Sequence, residues 1–166
     1  MRSSFRHFRA CLLAVLLLST FLGGCGEPKE DPVKVKFKND IENFCNSISE
    51  LDASMNAINP DSENAPAQLL QYLDEVDMRF KSFAELDFPE EFNYLESLAD
   101  DASTYMTEAV MYYHNSYSNN SYNEYTAEYA QENYARAIKR IKIIISMLHG
   151  EVPQEEGIVI SYENPE

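Results

Sequence analysis

The sequence predicts an all-α fold, an antiparallel bundle of about four helices over residues 37–150. The first observation behind it is periodic. Apolar residues recur at alternating steps of three and four in four successive segments, which lays one apolar stripe along each of four helices. The second is that no segment between them alternates apolar and polar residues as a half-buried strand would. The third is that the connections are short and carry helix stop and start signals, so each helix is expected beside the next and antiparallel to it.

The first stripe is Phe37, Ile41, Phe44, Ile48, Leu51, Met55 and Ile58, on a helix ending before Pro60. Cys45 follows Phe44 on that helix and reads as a small buried hydrophobe. A second, shorter helix after Pro66 carries Leu69, Leu73, Val76, Phe80 and Phe83. The third begins at Pro89-Glu90-Glu91, where proline loses no needed N–H and acids meet the positive helix end; its stripe is Phe92, Leu95, Ala99, Ala102, Met106, Ala109 and Tyr113. The fourth carries Ala127, Ala130, Tyr134, Ala137, Ile141, Ile144 and Leu148. Ser121 and Glu124 have the spacing of a capping box at its start. Lys139, Arg140, Lys142 and His149 gather toward its negative end, and Gly150 and Pro153 terminate it. The alanines of helices three and four predict a close approach between those two, with the phenylalanines of helices one and two filling a wider space.

Upstream, residues 1–24 carry Arg2, Arg6 and Arg9, no acid, and an apolar run from Ala10 to Leu22. At about 1.5 Å per residue that run spans only about 20 Å, short of the ~30 Å hydrocarbon core, so a cleaved secretory leader fits better than a membrane span. The run closes on Leu22-Gly23-Gly24-Cys25. This tetrapeptide resembles the lipobox of bacterial lipoprotein precursors, a pattern of Leu, two small residues and Cys. The resemblance implies that the Cys25 thiol receives a diacylglyceryl group, that cleavage falls before it, and that the mature protein is extracytoplasmic and held to a bacterial cell membrane by lipid. Two or three acyl chains hold a protein durably where one does not. Residues 25–36, with Pro28 and Pro32, then form a polar tether, and residues 151–166 an extended or disordered tail. The β-branched run Ile158-Val159-Ile160 in that tail would need a partner's strand edge to pair with.

The whole chain has 13 Lys+Arg and 28 Asp+Glu, a formal charge of −15. Loss of residues 1–24 removes three arginines and no acid, leaving 10 basic residues against 28 acidic ones and a charge of −18. Such a surface repels phosphate backbones, which argues against nucleic acid as a partner. Of the three cysteines, Cys11 leaves with the leader and Cys25 is committed to lipid, so Cys45 has no partner for a disulfide and packing must hold the fold.

Catalytic and cofactor signatures are missing. No Glu-x-x-His pair suits a di-iron bundle, and no haem attachment, zinc spacing, phosphate loop or nucleophile elbow occurs. His114 and His149 sit near predicted helix ends, where the dipole favours a cation. Acidic pairs such as Glu90-Glu91 and Asp100-Asp101 point in different directions on a helix and read as solvated faces. The sequence therefore assigns no catalytic, cofactor or metal residue, and the chain reads as a binder rather than an enzyme.

One feature stands out. Nine of eleven tyrosines fall between Tyr94 and Tyr134. On the fourth helix Tyr122, Tyr125 and Tyr129 share a flank with Arg136, Arg140 and Ile143, roughly 115° from its apolar stripe. Tyr105, Tyr112 and Tyr117 of the third helix can join it. Such a flank suits either packing against a neighbouring helix with hydroxyls at the rim or a binding surface of flat aromatic contact and arginine. Two functions follow: an interaction or accessory module at the cell envelope, meeting a protein partner, or a module binding a small solute or glycan in a tyrosine-lined site. A contiguous exposed patch favours the first, and a concave site the second.

Overall fold

Each predicted stripe becomes the buried side of a helix. The computed structural model describes residues 31–117 and 122–151. The leader, Cys25 and the tail beyond Glu151 lie outside the described residues, as does Ser121. The helices are α1 (Pro32–Asn56), α2 (Ala65–Ala84), α3 (Glu96–Ser116) and α4 (Glu124–Leu148), with a 3₁₀ helix, Glu90–Leu95, leading into α3. No strand occurs among the described residues, and none of their helices is long and apolar enough to cross a membrane. Every residue of the first two stripes is buried; in the third only Phe92, and in the fourth only Leu148, is partly so.

Cross-helix pairs fix the antiparallel order. Phe44 meets Phe83 with ring centroids 4.4 Å apart and Phe80 at 5.4 Å, while Phe37, two turns earlier on α1, meets Phe88 beyond the end of α2 at 5.0 Å. Between α2 and α3, Thr107 donates to Asp77 at 2.6 Å and His114 Nε2 lies 2.7 Å from Asp74 Oδ1. As α2 descends from 77 to 74, α3 climbs from 107 to 114. The backbones approach most closely between α3 and α4, less so between α2 and α3, and less again between α1 and α2. Side-chain size accounts for this gradient: Ala99, Ala102 and Ala109 on α3 and Ala127, Ala130 and Ala137 on α4 are buried, whereas phenylalanines separate α1 from α2.

The helix ends depart from expectation in three places. α1 starts at Pro32 rather than near Phe37, so Pro32–Lys36 belongs to the helix and not to the tether. Proline stands in the first turn and the Asp31 carboxylate accepts from the Val33 N–H at 3.0 Å, so the helix is capped; Val33 and Val35 are exposed, and this turn therefore adds nothing to the apolar stripe. The segment after Pro89 winds first as 3₁₀, with the Phe92 N–H donating to the Pro89 carbonyl at 2.7 Å. The tighter turn brings Phe92 against Phe37, ring centroids 6.0 Å apart, and buries Leu95. Finally, α4 is capped by Asn123, whose Oδ1 accepts from the Thr126 N–H at 3.1 Å, and not by a Ser121–Glu124 box. Glu124 is then the first helical residue and cannot reach back as the third would. At the other end of α4, Gly150 takes φ 73°, Gly150 N–H donates to Met147 O and Glu151 N–H to Ser146 O, which closes the helix in a Schellman arrangement.

The bundle has two distinct ends. The start of α1 lies beside the approach to α3, where Lys34 pairs with Glu91. The α3–α4 turn lies at the opposite end, about 30 Å away by the 21 residues of α3 at about 1.5 Å each.

Candidate interaction surface

The tyrosine-rich flank lies along the outer seam of α3 and α4, and the structure divides it into three parts. At the turn, the Asn123 N–H donates to the Ser116 carbonyl at 2.8 Å, while the buried Ser116 hydroxyl donates to Tyr113 O at 2.8 Å. The first of these bonds ties the two helix ends together, the second lies within α3, and the half-buried rings of Tyr117 and Tyr122 meet across the turn with centroids 5.3 Å apart. Burial raises the Tyr117 hydroxyl above its ordinary pKa, as it does more strongly for Tyr113.

One turn further along α4, Tyr125 and Tyr129 form the open part. They are 67% and 43% exposed, yet their position is defined: the rings meet edge to face at 5.0 Å and the hydroxyls are hydrogen-bonded at 2.8 Å. That bond, above all, raises the pKa of Tyr129. Tyr112 supports the pair from α3, its ring centroid 6.0 Å from that of Tyr129.

The far part is closed by arginine. Arg140, with a side chain only 22% exposed, holds its guanidinium carbon 4.4 Å from the Tyr105 ring centroid and its Nε 3.5 Å from Asp101 Oδ2. The latter contact is an ion pair rather than a hydrogen bond. Arg136 lies 5.8 Å from the same ring, 3.7 Å from the Glu132 carboxylate, and donates to Asn133 Oδ1 at 3.4 Å. Ile143, the last member of the flank, is buried in the core.

The six flank residues thus part company. Tyr122 packs at the turn, Arg140 and Arg136 are engaged within the molecule, Ile143 is core, and Tyr125 with Tyr129 is presented to solvent. The i, i+4 pair Glu132–Arg136 was legible from spacing. Asp101 was read only as half of a solvated acidic pair, and it meets Arg140 because α3 and α4 pack antiparallel; Asn133, a buried polar residue inside an apolar repeat, was not singled out.

Two surface clefts lie elsewhere. One of about 160 Å³ opens between α1 and α2 beside Asp40, Ser47 and Arg79, and one of about 450 Å³ lies at the α1–α2 turn beside Ile58, Gln68 and Tyr72. Neither is lined by the flank tyrosines. Among the described residues no group of three or more His, Cys, Asp or Glu is placed to hold a metal ion. Cys45 is buried on α1, and burial pushes its thiol pKa up from 9.0 to about 11. Comparison with known protein families, with curated proteins and with solved structures finds no match.

Proposed function

We propose that this protein is a membrane-anchored extracytoplasmic lipoprotein, tied to the bacterial envelope through lipid on Cys25, and that it acts there as an interaction or accessory module without catalysis. The observation that carries the interaction part is the Tyr125–Tyr129 pair. Two large aromatic side chains are kept in the solvent, oriented by each other and by Tyr112, on a face that lines neither cleft. Ordered tyrosines give broad amphipathic contact at little entropic cost, which is why they concentrate where proteins meet. A contiguous exposed patch also favours a protein partner over a solute held in a concave site.

The lipid part is supported by Leu22-Gly23-Gly24-Cys25 and by the layout of the leader. Geometry supports the combination. Pro32, the start of α1, lies seven positions after Cys25, so an anchor there keeps that end of the bundle near the headgroups. The tyrosines lie toward the other end and would stand at a distance from the membrane. The test is a photo-crosslinking residue at position 125 in intact cells, with Cys25 kept or changed to Ser. A discrete protein adduct that depends on Cys25 is expected; no adduct from position 125 would overturn the interaction reading.

A further inference from the structure

We infer that the Tyr125–Tyr129 surface binds a basic segment of its partner, with lysine or arginine side chains lying over the tyrosine rings. The inference rests on the interaction reading above and adds the chemistry of the partner. An exposed tyrosine ring offers a negative face to a cation within about 6 Å, a use the molecule already makes of Tyr105 beneath Arg140 at 4.4 Å. On the open part of the flank no such contact to Tyr125 or Tyr129 is seen among the described residues; their ring partners there are each other and Tyr112.

The surroundings are acidic. Glu128 and Glu132 follow Tyr125 and Tyr129 by three positions each, so both lie on the same side of α4, and Glu108 lies one turn before Tyr112 on α3. All three glutamates are exposed, and Glu132 is close enough to Tyr129 to act on its ionisation. Arg136, two turns beyond Tyr129 on α4, is met by Glu132 at 3.7 Å. A chain with 28 acidic and 13 basic residues draws cationic partners in from a distance, and the ring pair then supplies the place where they stop. An acidic partner would meet carboxylates at each edge of the rings.

The test uses the full chain in detergent with ¹³C-labelled tyrosine rings, titrated with a hexa-arginine peptide, a hexa-glutamate peptide and chitotetraose. The arginine peptide should move the Tyr125 and Tyr129 ring signals and the other two should not. Glu128→Gln with Glu132→Gln should weaken the arginine peptide about tenfold, and Tyr125→Ala with Tyr129→Ala by a similar factor without changing the net charge. Glu63→Gln with Glu85→Gln, the same charge change on the two exposed connections, should leave it unchanged. Equal weakening by both glutamine pairs, or binding indifferent to the tyrosines, overturns the inference in favour of diffuse charge attraction. Movement of the rings by the glycan alone overturns it in favour of a sugar. In cells, an adduct from position 125 that survives Glu128→Gln with Glu132→Gln unchanged refutes the basic chemistry while the interaction reading stands; absence of any adduct removes both.

Discussion

The guanidinium of Arg140 on α4 lies over the ring of Tyr105 on α3, 4.4 Å from its centroid, and Asp101, one turn before Tyr105, balances its charge at 3.5 Å. A cation is thus taken up between two helices and used as a strut. This contact separates the flank into a part that holds the bundle together and a part that faces outward, and the two should respond differently to mutation.

The strut is measurable by a double-mutant cycle with Arg140→Gln and Tyr105→Leu, followed by urea denaturation. A coupling energy of about 0.5–1 kcal/mol is expected for a cation–π contact at a partly exposed site. Strictly additive effects would mean that the two side chains are neighbours without an energetic tie.

The outward part should be dispensable for folding. Tyr125→Ala with Tyr129→Ala should cost no more than about 1 kcal/mol, since both rings are substantially exposed and lose mainly contact with one another. A loss of several kcal/mol would assign these rings to the core.

The buried stripes were legible because a helix against a core repeats every 3.6 residues, and no residue from Phe37 to Met55 in the first stripe fails that rule; Ile58 is buried too, though it lies just past the end of α1. The start of α1 was not, since Val33 and Val35 face solvent and a turn that buries nothing leaves no period to read. At α4 the spacing of Ser121 and Glu124 suggested a capping box, but the helix starts at Glu124 and Asn123 is its cap. The tyrosine flank was visible as a second helical face. Its division was not, because Asp101 and Tyr105 reach Arg140 across nearly forty residues through tertiary packing alone.

The alanine seam sets the strongest stability prediction. Ala109 is fully buried where α3 meets its neighbours, so Ala109→Asp places a carboxylate in a space that fits a methyl group. A loss of at least about 4 kcal/mol is expected, read as unfolding in far-ultraviolet circular dichroism at 37 °C. An unchanged melting curve would contradict this packing register.

Cys45 should show its burial as low reactivity. With its thiol raised to about 11, iodoacetamide at pH 8 should leave the Cys45 peptide largely unmodified in native protein and modify it readily in 6 M urea. The sign of the linkage follows: well below pH 9 the thiol is neutral in both states, and as pH rises through 9 toward 11 the unfolded chain loses the proton first. Stability therefore falls over that window. Rapid native alkylation at pH 8 would show the thiol to be accessible.

The proposed membrane tie has the most direct test of all. The amino-terminal peptide of the protein isolated from its native cells, analysed by mass spectrometry alongside membrane fractionation, should begin at Cys25, carry the added mass of a diacylglyceryl group and partition with membranes, and Cys25→Ser should abolish both properties. A free, unmodified amino terminus on a protein recovered in the aqueous fraction would contradict the anchoring and, with it, the placement of the tyrosine surface away from a membrane.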